Sequence, residues 1–301
     1  MPPIPASRST VVIVWWITCL IWSSVWLVIK LGLRDLPPIS FAGLRLVVAL
    51  VALSPILIAR RAMLHRTAAE WRLILATGVL LLGVNYAFVF WGAQFISSGL
   101  TAVIQSASPA FGVFAAYAIA REPIRRVEVT AIAVGIAGLV IIFGDSINLA
   151  GTRALLGSLA VAAGALCVAI AYVFVGARGH DIPPIVLTSG QMFAGAIPLL
   201  VAGALLDGNP LHFRWSPVAI FALVYLAIAG SVAGFWLNYW LLKRTSAATL
   251  LAMSIVEPLI AVLLGALVLG ERLSMRVAFG GALILVSAWL ILKRKAAAKT
   301  S

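Results

Sequence analysis

The chain has 301 residues, of which 22 are Lys or Arg and nine are Asp or Glu. Only 10% of residues are charged and 63% are hydrophobic, where ordinary soluble domains carry about 25% charge, so a soluble domain of this size would lack the polar surface to cover its core. The net charge of +13 is spread in short clusters between apolar runs, which argues against nucleic acid and fits the loops of a membrane protein, whose cytoplasmic side collects Lys and Arg.

A membrane-spanning helix needs about 20 mainly apolar residues. Ten such runs are present, at 11–29, 38–59, 72–93, 98–120, 127–144, 155–177, 183–206, 216–241, 246–269 and 275–292. Eight or nine spans with a re-entrant pair is the alternative. Ten spans consume roughly 200 residues and leave no room for a large domain outside the bilayer, so function is expected within it.

The first run follows Arg8 and lacks a convincing small-residue cleavage site, so it reads as a retained helix. It carries Trp15 and Trp16 near its inner end, as expected of interfacial anchors, and deeper Trp22, Ser23, Ser24 and Trp26, where the tryptophans face either lipid or a cavity. Arg45 lies two turns into the second run, near enough to its outer end to snorkel or to bond loop carbonyls. The third run holds Asn85 and Tyr86. In the fourth, Thr101, Gln105 and Ser108 follow i, i+4, i+7 spacing and share one face. Pro109 follows them; it has no N–H, so the Gln105 carbonyl loses its helical donor. The fifth and tenth runs are almost purely apolar, with Ala131, Gly135, Gly138, Gly280 and Gly281 suited to close packing, and are expected at the periphery. Tyr172 and Gln191 are lesser polar candidates in the sixth and seventh. The eighth carries Trp236, Asn238, Tyr239 and Trp240, and the ninth Ser254, Glu257 and Pro258.

With the N-terminus inside, fifteen Lys or Arg fall on the inner side and six on the outer, so both termini are expected in the cytoplasm. Cys19 and Cys167 lie in apolar runs without metal-ligand spacing, and His65, His180 and His212 lie in loops. No disulfide, metal or cofactor is expected.

The chain repeats itself. Asp35-Leu-Pro-Pro-Ile39 recurs 146 residues later as Asp181-Ile-Pro-Pro-Ile185. Pro109 with Glu122 recurs as Pro258 with Glu271, and Trp91 as Trp240, both at an offset of 149. Two five-helix halves, 1–150 and 151–301, follow. An odd number of spans per half makes the repeat inverted, an arrangement common in secondary transporters, with the substrate site near the midplane between halves. A miscount by one would make it parallel.

These residues resemble the drug/metabolite transporter superfamily, in its ten-helix EamA-type branch. The resemblance covers nearly the whole chain and rests on Glu257-Pro258, Gly270-Glu271-Arg272, Pro109 and Arg121-Glu122-Pro123. The first half departs from the pattern, with Arg121 where Gly is expected. Within the branch the chain resembles the YddG-type exporters of aromatic and other neutral amino acids. That implies an all-α bundle of two inverted five-helix repeats around a central cavity, acting as a monomer in the bacterial inner membrane. Its partners would be the lipid bilayer and a small amino-acid-like substrate.

The expected cavity lining is Trp22, Ser23, Asn85, Tyr86, Thr101, Gln105, Ser108, Trp236, Asn238, Tyr239, Ser254 and Glu257, with kinks at Pro109 and Pro258. Glu257 stands out, because an ionisable group within a membrane span is costly and its default reading is functional. It would hold a substrate ammonium or a proton; a protonated structural Glu is the alternative. Export of drugs or other metabolites is the second functional reading. An intramembrane enzyme is a distant third, since no HExxH, GxSxG or paired-aspartate arrangement is present. No Walker A sequence or potassium-filter sequence is present either.

Overall fold

The computed structural model describes residues 7–60, 65–121, 126–179, 181–242, 244–245 and 247–297. Among these residues every regular element is helical. The first five apolar helices are α1 (Arg8–Gly32), α2 (Pro38–Ala59), α3 (Ala68–Gly92), α4 (Ser98–Gln105 continuing as Ser108–Ala120) and α5 (Arg126–Phe143). The second five are α6 (Gly151–Arg178), α7 (Pro184–Leu206), α8 (Pro217–Tyr225, Leu226–Ala233 and Gly234–Leu242 in succession), α9 (Ala247–Leu269) and α10 (Met275–Ala297). Among the described residues nine helices are long and apolar enough to cross a membrane, and a tenth apolar stretch runs over Met275–Ile291. Each stands on one of the ten predicted runs, with ends moved by a few residues.

Local chemistry sets the boundaries. Pro38, Pro184 and Pro217 open α2, α7 and α8, where the missing N–H is no loss. Ser97 and Ser216 cap α4 and α8, and Thr67 with Glu70 forms a reciprocal capping box at α3. Gly151, at φ +75°, divides α5 from α6.

The two halves share more than sequence marks. α3 loosens into π-helix at Val79–Val84 and α8 does so at Leu226–Ala233. α4 ends on Arg121 at φ +56° and α9 on Gly270 at φ +65°, positions 149 apart. The packing is paired as well: α1 packs on α8 and α9, and its counterpart α6 packs on α3 and α4.

Eight helices close a ring in the order α1, α9, α4, α6, α3, α7, α2, α8. Trp15 Nε1 donates to the Thr249 carbonyl between α1 and α9, and Gly99 meets Val262 between α4 and α9. Gly92 and Gly157 bring the α3 and α6 backbones together; a Cβ on either would lie 2.5 or 2.8 Å from the other's carbonyl. Gly78 sits on Gln191 across α3–α7, and Gly203 on Ser40 across α7–α2. Such close approaches are how helices pack where lipid supplies no hydrophobic drive. α5 and α10 lie outside the ring, crossing at Gly138 and Gly280, as the lack of polar residues in these two runs predicts.

Candidate substrate site

The polar residues at the bundle centre come from facing helices. Gln105 on α4 donates from Nε2 to Asn85 Oδ1 on α3 and to the Val161 carbonyl on α6, both at 3.2 Å. Asn85 donates in turn to the Leu81 carbonyl within the π-helical stretch. Gly164 on α6 makes room for this amide pair: a Cβ there would lie 2.6 Å from Asn85 Oδ1. The structure thus joins two candidates that sequence spacing left on separate helices.

Glu257 lies near the middle of α9 and is half-buried. Among the described residues its carboxyl meets neither a cation nor a hydrogen-bond donor. Its neighbours Val256 and Ile260 pack with Cys19, Trp22 and Trp240. Trp22 is half-buried, edge-on to Phe235, with its indole nitrogen against Gly234. Asn238 is half-buried one turn beyond Gly234 on α8, and Ser254 is half-buried one turn before Pro258. Tyr86 is half-buried and stacks against Phe90. Pro258 stands inside a continuous α9.

Other candidates take different places. Ser23 is fully buried and donates to the Cys19 carbonyl of its own helix, and Thr101 likewise donates to Ser97. Neither lines an open space. Trp236 is 63% exposed and points out of the bundle, because two residues of α-helix carry it about 200° from the inward-facing Gly234. The Gln105 carbonyl freed by Pro109 accepts from Ser108 Oγ at 2.6 Å, so this break is satisfied locally and does not leave a carbonyl open to a wet cavity. Gln191 is spent on Thr77 between α7 and α3, and Tyr172 is exposed. The side chain of Tyr239, together with Glu122, Pro123 and His180, lies outside the described residues.

Arg45 departs from its expected role. It is 4% exposed and reaches no loop carbonyl. Its Nε and Nη2 both point to Ser231 Oγ on α8 at 3.3 Å, and its guanidinium lies 5.0 Å from the centre of the Tyr86 ring. No sequence pattern links residues 45, 86 and 231. Their meeting depends on the order of helices round the ring.

One end of the bundle is laced by hydrogen bonds. Lys30 donates to the carbonyls of Ala93, Gln94 and Ile96. The Glu271 carboxylate accepts from Ser98 N, Ser98 Oγ and Gly99 N at the start of α4. Asp207 accepts from Ser40 N, and Asp35 from Ser216 Oγ and Arg214. This is the end that the charge count places outside. An apolar groove of about 710 Å³ along Ile220, Phe221 and Val224 lies on the lipid-facing side of α8, away from the amide pair.

A multi-helix membrane bundle, doubled internally and holding a carboxyl and an amide pair in its interior, has the architecture of a membrane transporter. The chain belongs to the EamA-like transporter family, whose profile matches it twice, over residues 9–144 and 155–293. It is 28% identical to the uncharacterized transporter YoaV of Bacillus subtilis over 88% of this chain and 90% of that one. It is 31% identical to the uncharacterized inner membrane transporter YedA of Escherichia coli over 85% and 81% of the two chains. A protein of Escherichia coli described as a probable amino-acid metabolite efflux pump is 27% identical over 90% of each chain. Among solved structures, a crystal structure is similar with a TM-score of 0.62 at 21% identity, covering 94% of this chain and 96% of that one; that likeness concerns the fold.

Proposed function

We propose that this transporter exports amino acids with neutral side chains, aromatic ones included, across the bacterial inner membrane. It works as a monomer with both termini in the cytoplasm, by alternating access between halves 1–150 and 151–301. The observation that carries this reading is the half-buried carboxyl of Glu257, which has no partner among the described residues and is set in the same bundle interior as the Asn85–Gln105 amide pair. A carboxylate at that depth needs a cation, and a substrate ammonium supplies one. The name of the Escherichia coli relative as an amino-acid metabolite efflux pump supports the same class.

The mechanism follows from competition. A proton and an ammonium cannot both occupy the charged form of one carboxyl. Glu257 releases the ammonium wherever the site opens to a side poor in substrate. Amide groups at Asn85, Gln105 and Asn238 supply neutral donors and acceptors elsewhere in the bundle interior, and Trp22, packed with the neighbours of Glu257, an aromatic wall.

The test is counterflow of radiolabelled neutral amino acids into liposomes holding purified protein, with and without an imposed pH gradient. Saturable flux stimulated by unlabelled amino acid on the far side is expected. Glu257→Gln keeps the shape and one acceptor but cannot ionise. It should raise the apparent KM for amino acids both with and without the gradient. Counterflow unchanged in this variant removes Glu257 from the site. Absence of flux for every amino acid in the parent protein rejects the substrate class.

A further inference from the structure

Arg45 is a buried cation that meets no counter-ion among the described residues. A guanidinium has five N–H donors in a rigid fork, and here two of them share one hydroxyl, Ser231 Oγ, at the long distance of 3.3 Å. That oxygen is already engaged, donating at 3.0 Å to the Leu226 carbonyl. The only other described attraction is the face of Tyr86. Among the described residues no carboxylate pairs with Arg45. Burying a charge in this way is costly unless it is paired, and an arginine kept under that cost is suited to an anion that comes and goes.

The surroundings are built for close approach. Gly230 stands beside the guanidinium, and a Cβ there would lie 3.3 Å from Nη2 and 2.9 Å from Val25. Ser231 belongs to the π-helical stretch of α8, and Tyr86 stands two residues after the matching stretch of α3. Single turns of π-helix occur often at functional sites. Arg45 lies about 10 Å of helix below the start of α2, on the side of the bundle laced by Asp35, Asp207 and Glu271.

We infer that Arg45 is an anion-binding residue that takes the carboxylate of the substrate, with Ser231 holding the fork in readiness and Tyr86 backing it. A planar carboxylate matches the guanidinium fork in a bidentate pair and displaces the long contacts to Ser231. Placed between the centre and the laced end, Arg45 offers the carboxylate a site on the path toward that end. The proposal rests on the amino-acid reading only for the choice of an amino acid among the ligands below.

Purified protein in lipid nanodiscs is titrated by calorimetry with phenylalanine, phenylalaninamide, phenylacetate and phenylacetamide. In the wild type each carboxylate should bind about tenfold or more tightly than its amide, as a charge-assisted pair requires. Arg45→Gln should abolish that ratio and leave the amides unchanged. Arg45→Lys, which keeps the charge but loses the fork, should fall between, and it decides the matter if the glutamine variant does not fold. A carboxylate preference absent from the wild type for both pairs, or undiminished in a folded Arg45 variant, overturns the proposal and leaves Arg45 as a strut for α8. Should phenylalanine fail to bind while phenylacetate keeps an Arg45-dependent preference, the anion site stands and the amino-acid reading falls. Intact phenylalanine counterflow with an undiminished carboxylate preference in Arg45→Gln gives the reverse.

Discussion

Arg121 and Gly270 end α4 and α9 in the same left-handed conformation, yet only the second is a glycine. A side chain costs about 1 kcal/mol or more there, so Arg121→Gly should raise stability by about 1 kcal/mol, read as a higher Tm in detergent with transport unaltered. The amide pair makes the opposite kind of prediction. Asn85→Ala and Gln105→Ala each remove one partner of a half-open interior contact. Transport per folded molecule should drop while protein level and monodispersity hold. Gly164→Ala should do the same with both amide residues kept, because its Cβ displaces Asn85 Oδ1. If these three variants instead lose stability and keep full transport, the pair is packing and the site lies elsewhere. Asn85, Gln105 and Glu257 were legible in the sequence, since amides and acids are conspicuous in apolar runs. Gly164 was not, because a glycine's role depends on what faces it.

At the scale of elements, the start of α4 depends on a residue 173 positions away. Four N–H groups at a helix start have no partner in the helix, and Glu271 takes those of Ser98 and Gly99 with a full negative charge. Glu271→Ala should cost about 1–2 kcal/mol, the range for a lost cap, seen as a lower Tm. Ser97→Ala, which removes the ordinary side-chain cap to Leu100 N, should cost a similar amount and act independently. Pro109 shows how far a helix-level rule reaches. The loss of a donor at Gln105 follows from proline chemistry alone, but its remedy, the Ser108 hydroxyl, is set by the three-dimensional structure. Trp236 shows the limit from the other side. Nearness to Asn238 in sequence suggested the interior, and helical geometry turned its side chain outward.

For the whole molecule, the odd number of helices in each half makes the two ends of the bundle distinguishable by labelling. In a background lacking Cys19 and Cys167, Leu211→Cys should react with an impermeant thiol reagent from outside the cell, and His65→Cys only after permeabilisation. Labelling of position 65 from outside would invert the topology and move the laced end to the cytoplasm. The span positions, the doubling and the peripheral place of α5 and α10 were all readable from the chain, because membrane insertion depends on local apolar length and packing on small residues, both one-dimensional properties. What the chain could not specify is which helix stands beside which. The ring order joins Arg45 to Ser231 across 186 residues and Gln105 to Val161 across 56, and it leaves Glu257 without a partner among the described residues while Gln191 is consumed by Thr77. Only the tertiary structure decided these pairings, because a polar side chain in an apolar bundle is satisfied by whatever neighbour the packing supplies.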